Sequence, residues 1–156
     1  MANDKALRQH VLKLLEGKGA HVDFETAVKK ASVAVRGKRP KGAAHSPWEI
    51  LEHMRIAQWD ILEFSRNSKH VSPAWPEGYW PASEAPANEK AWKASMAAFK
   101  KDLRTMEKLV GDREIDLYAR IPWGDGQTIL REALLVADHN AYHLGQLVML
   151  RKSIGI

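Results

Sequence analysis

Apolar residues recur at three- and four-residue steps in four long stretches of the chain, the spacing that gives a helix one buried face. The first stretch, residues 4–17, carries Ala6, Val11, Leu12, Leu14 and Leu15 between charged positions, and Gly17 and Gly19 mark its end. Residues 23–35 repeat the pattern more weakly through Phe24, Ala27, Val28, Ala31 and Val35, which predicts a short extra helix before the loop RGKRPKGAA. Ser46-Pro47-Trp48-Glu49 then supplies a capping hydroxyl, a proline at the first helical position and a glutamate three residues after the cap. That start predicts a helix running to about Asn67, with Ile50, Met54, Ala57, Ile61 and Phe64 on its inner face.

Residues 68–87 hold four prolines and three large aromatics, so neither a regular helix nor a flexible linker is expected there, but an ordered loop packed on the helices. Asn88 caps a third long helix through about Val110, with Ala91, Trp92, Met96, Phe99, Leu103 and Met106 facing inward. A short extended piece, residues 115–123, and the turn Gly-Asp-Gly-Gln lead to Thr128, the cap of a last helix reaching about Lys152. Four long helices without a clear strand predict an all-α fold, a four-helix bundle with one short extra helix, in a single domain covering residues 1–156.

Composition narrows the chemistry. Hydrophobic residues make up 45% and charged residues 28%, enough apolar surface to offset the entropy of ordering a globular chain. The chain has no cysteine, which removes disulfides, thiolate nucleophiles and sulfur-ligated metals, so any metal must be held by nitrogen and oxygen. The N-terminal stretch alternates charged and apolar residues and lacks the continuous apolar core of a signal peptide, and no run reaches the ~18 apolar residues of a membrane span, which makes the cytoplasm the default location. The net charge is +5, and six basic residues gather between Lys29 and Lys41. No nucleic-acid motif stands beside them, so a solvated loop is the expectation, at most drawing an anionic small molecule toward a site, and nucleic acid is not the expected partner.

The chemistry-bearing feature lies in the last helix. His139 and His143 are four residues apart, which leaves their rings about 40° apart on one face. Glu132, Leu135, Gln146 and Leu150 share that face, so polar groups stand where a bundle ordinarily uses leucine, and buried polar side chains need a reason. No glutamate follows His139 inside the pair, which disfavours a zinc-peptidase motif. His53, inward-facing on another long helix, is a third candidate, and three imidazoles would leave a coordination position open for water or substrate. Neutral imidazoles accept zinc, nickel, copper or iron(II), so the ligand type leaves the metal open. His10, His21, His45 and His70 read as surface histidines. Glu49, Asp60, Glu132 and Gln146 are candidates to orient histidines or water, and Trp75, Tyr79 and Trp80 to wall a pocket or plug the bundle end.

Three segments resemble the DinB family: HSPWEILEHMRIAQWDIL around His53, PEGYWP at residues 76–81, and GQTILREALLVADHNAYHLGQLVMLRKSIG at residues 126–155. The resemblance implies a four-helix bundle that binds a divalent transition metal (zinc, nickel or iron) through His53 of the second long helix and His139 and His143 of the fourth. It also implies frequent homodimers, in agreement with Leu130, Leu134, Ala137, Ala141, Leu144 and Val148 pointing away from the histidine face. Relatives include S-transferases using low-molecular-weight thiols, a thiol-dependent maleylpyruvate isomerase and hydrolase-like members. The expectation is therefore a metal-dependent enzyme that activates a thiol or water on a small-molecule substrate, with thiol S-transfer favoured. The rival expectation is a non-catalytic dimeric helical binding module whose metal is structural or absent.

Overall fold

The structure is a computed structural model that describes residues 4–29 and 31–154. Among these residues the chain forms five α-helices, α1 (Lys5–Glu16), α2 (Phe24–Lys29), α3 (Pro47–Arg66), α4 (Glu89–Gly111) and α5 (Ile129–Ser153), one 3-10 turn at Glu77–Tyr79, and no strand. The helix starts follow their sequence signals. Ser46 Oγ accepts from the Glu49 N–H at 3.2 Å while Glu49 Oε2 accepts from the Ser46 N–H at 2.7 Å, so both halves of the capping box are made. Asn88 and Thr128 cap α4 and α5 with the side chain alone, accepting from the N–H groups of Ala91 and Arg131. Gly17, with φ 64°, ends α1 in the left-handed region that only glycine adopts without strain.

α3 packs against both α4 and α5, and α1 covers the other side of those two helices. Trp48 meets Trp92, and ten residues later Gln58 donates to the carbonyl of Phe99, so α3 and α4 run parallel. Parallel neighbours need a long crossing connection, which is what residues 68–87 provide. α5 runs the opposite way: His53 faces His139 and His143, while Asp60, further along α3, lines a cavity with Glu132, near the start of α5. The core has two apolar clusters, one around Met54, Trp92, Phe99 and Leu147 and one around Val11, Leu62, Met106 and Val136. The buried pair Gln58 and Asn140, hydrogen-bonded at 2.9 Å, joins α3 to α5 at the level of Phe99.

Several sequence expectations are corrected. The short helix over 23–35 stops at Lys29, and residues 33–37 form turns. Ala31 and Val35 are still buried, because a hydrogen-bonded turn also brings residues four apart onto one side. The piece at 115–123 is a run of turns with one isolated bridge, Arg120 to Thr128, and it plugs the second cluster with Leu117 and Ile121. On α1, Leu14 is exposed whereas Arg8 is buried, donating to the carbonyls of Val110, Asp112 and Ile115 and so satisfying the C-terminal end of α4. The apolar face of α5 opposite the histidines is largely covered: Leu144 is buried in the first cluster and Leu130, Ala137, Ala141 and Val148 are partly buried, leaving Leu134 exposed. α1 and α2, both packed on α5, supply that cover. No helix among the described residues is long and apolar enough to cross a membrane.

Candidate metal centre

α3 and α5 bring His53, His139 and His143 together, each offering a ring nitrogen, with all three nitrogens within 4.8 Å of one another. His53 and His143 are buried and His139 is partly buried. His53 Nε2 lies 3.1 Å from His139 Nε2. Two nitrogens bound tetrahedrally to one ion at ~2.0–2.1 Å stand roughly 3.3 Å apart, so this spacing fits a shared cation with a shift of a few tenths of an ångström.

The outer ring nitrogens have partners that fix the tautomers. His53 Nδ1 lies 2.9 Å from the Tyr79 carbonyl, which can only accept, so Nδ1 carries the proton and Nε2 keeps its lone pair. His143 Nδ1 donates to Gln146 Oε1 at 2.7 Å and likewise leaves Nε2 free. Metal-ligating histidines are ordinarily oriented by such contacts. Burial pushes the His139 imidazole down to about 3 and that of His143 down to about 4, with neighbouring histidines adding repulsion. Burial also lowers His53, against the opposing pull of its hydrogen bond to Tyr79. All three rings are neutral at physiological pH, the state a metal requires.

The surroundings separate the other sequence candidates. Trp80 stacks on His53 with centroids 4.0 Å apart and also on His45 at 3.8 Å, so Trp80 walls the centre. Trp75 is exposed and touches only the edge of Tyr79 in this aromatic group. Gln146, one of the four polar candidates, hydrogen-bonds the His143 ring. Glu49 instead serves the capping box and the Arg39 guanidinium, and the pull of these groups outweighs burial and holds its carboxyl below the usual range. Glu132 is buried, pushed upward by that burial, and paired with Arg131. Asp60 and Glu132 line a cavity of about 240 Å³ with Ser72, Gln127, Arg131 and Leu135. Asp60 and Glu132 stand seven residues from His53 and His139, about 10 Å along their helices, and none of the three histidines is among the residues lining this cavity.

Two histidines read as surface groups are not. The His70 side chain is only 6% exposed and donates to Asp60 Oδ1 at 2.7 Å, and His45 lies partly buried on Trp80. Asp60 Oδ2 accepts from the Tyr79 hydroxyl at 2.6 Å. Contacts between a helix and a loop leave no periodic signal, though the prolines and aromatics of residues 68–87 mark the loop as ordered.

A model of the DinB superfamily matches residues 18–147. The chain belongs to the DinB superfamily. This is a metal-binding superfamily of helical proteins, and the all-helical fold and the three converging histidines of this DinB protein agree with membership. No curated protein and no solved structure matches the chain.

Proposed function

We propose that this DinB protein is a divalent-metal-dependent enzyme with His53, His139 and His143 as ligands, and that its reaction is S-transfer with a low-molecular-weight thiol. The observation that supports this most is the convergence of three neutral, oriented imidazoles, with no fourth histidine, aspartate or glutamate joining the cluster among the described residues. Catalytic zinc uses three protein ligands and keeps a position for a reactant, whereas structural zinc uses four. An ion held there supplies Lewis acidity that lowers the pKa of a thiol or water reaching it. Zinc, nickel and iron(II) all suit imidazole ligands.

The chain's own residues do the rest. Tyr79 and Gln146 hold the rings of His53 and His143, and Trp80 shields the His53 side of the centre from water. A thiol-dependent reaction draws on the reduced thiol pool of the cytoplasm, which is where we place the protein. We also propose a homodimer through the side of α5 that carries the exposed Leu134, Tyr142 and Met149.

The test loads the protein with zinc, nickel or iron(II) and supplies a panel of low-molecular-weight thiols with an alkyl or aryl halide. Formation of the thioether, with halide released, is followed by mass spectrometry. Metal-dependent product that disappears in His139→Ala is the expected result. Metal-loaded protein that gives no product above His139→Ala with any thiol would refute S-transfer and leave a metal-binding module.

A further inference from the structure

Tyr79 touches α3 at two places. Its hydroxyl donates to Asp60 Oδ2 at 2.6 Å, and its carbonyl accepts from His53 Nδ1 at 2.9 Å. His53 and Asp60 are seven residues apart on α3, two turns along one face, so a single residue of the 68–87 crossing bridges that face. The bridge is braced from both sides. On the helix, the other Asp60 oxygen accepts from His70 Nε2 at 2.7 Å, and the His70 ring meets Trp59 edge-on. On the loop, the 3-10 turn at Glu77–Tyr79 is folded tightly enough that a Cβ at Gly78 would lie 2.7 Å from Pro73 Cβ, so the backbone leading into Tyr79 has little room to move. Trp80, the next residue, lies flat on the His53 ring.

We infer that Asp60 is a positioning residue for the metal centre, acting through Tyr79: it latches the strap that sets the tautomer and orientation of His53. This rests on the three-histidine reading above. Asp60 touches none of the three ligand histidines and is buried, where an unpaired carboxylate is costly, yet its two oxygens are spent on the two strap residues His70 and Tyr79. Without the Tyr79 hydroxyl bond the residue whose carbonyl holds the His53 N–H loses its hydrogen bond to Asp60 on α3. His53 is then free to rotate or to change tautomer, either of which turns its Nε2 lone pair away from His139 and His143. Partners of metal-ligating histidines typically contribute 10–100-fold in metal affinity, and a latch one residue further out is expected at the lower end.

The experiment measures zinc affinity by chelator competition, and the visible spectrum of the cobalt(II) form, for wild type, Tyr79→Phe, Asp60→Ala and the double variant. Met106→Ala, in the apolar cluster away from the histidines, serves as a control for general destabilisation. Each latch variant is expected to bind zinc about tenfold more weakly with an altered cobalt spectrum. The double variant should lose no more than Asp60→Ala alone, in which the Tyr79 hydroxyl bond is already gone, and Met106→Ala should bind as wild type. Zinc affinity within twofold of wild type in Tyr79→Phe, losses that add in the double variant, or an equal loss in Met106→Ala would each overturn the latch. If Asp60→Ala does not fold, Tyr79→Phe, which keeps the ring and the carbonyl, decides the matter. Wild type that takes up no zinc would instead overturn the metal reading itself, and the latch with it.

Discussion

Acidification of the metal-free protein should reveal the histidine cluster as a source of instability. His139 and His143 are pushed from the ordinary 6.5 to about 3 and about 4, chiefly by burial. Between those values and 6.5 the unfolded chain binds protons that the folded chain refuses, so stability falls as pH drops below 6.5 and the loss levels off near 3–4. At pH 5.5, one unit below the unfolded value, each histidine costs about 1.4 kcal/mol relative to neutral pH, or about 3 kcal/mol for the two. That is a large share of the ~5–15 kcal/mol that holds a domain folded. Replacing both by glutamine keeps polarity and approximate size but removes the titration. Urea unfolding of chelator-treated protein, followed by circular dichroism at pH 7.5 and 5.5, measures the difference. The double variant should lose about 3 kcal/mol less than wild type over this range. Equal losses, within about 0.5 kcal/mol, would show that the rings are not held neutral by burial and would refute the reasoning.

Phe99, fully buried and stacked on Phe24 at 4.1 Å, joins α2 to α4, and Phe99→Ala should cost about 3–5 kcal/mol in chemical denaturation. Because Trp80 lies on the His53 ring, cobalt(II) or copper(II) bound at the three histidines should quench part of the tryptophan fluorescence, and that part should be absent in Trp80→Phe. If Leu134, Tyr142 and Met149 form the dimer face, Tyr142→Glu combined with Met149→Glu should run as a monomer in size-exclusion chromatography with light scattering, against a wild-type dimer.

The features legible in the sequence were those written locally. The Ser46–Glu49 capping box, the Asn88 and Thr128 caps and Gly17 placed helix ends to within a residue or two, because each involves groups three or four residues apart. The convergence of the three histidines was legible for a similar reason: His139 and His143 share a helix face by spacing, and His53 stands on the inner edge of a well-marked helix. Non-local groups were not legible. The burial of Arg8 has no local signal because its three carbonyl partners lie more than a hundred residues away, and His70 reads as exposed because its partner Asp60 sits across a loop. The cover over α5 was not legible because periodicity shows that a face is apolar without showing that α1 and α2 fold back onto it.

The most direct test of the three-histidine centre is the metal content of purified, untagged protein, set beside His53→Ala and His139→Ala after identical zinc, nickel or iron(II) reconstitution. About one ion per chain in wild type, lost in both variants while they stay folded, is the predicted result. No bound metal in wild type under any of these conditions, or a full complement in either variant, would contradict the account.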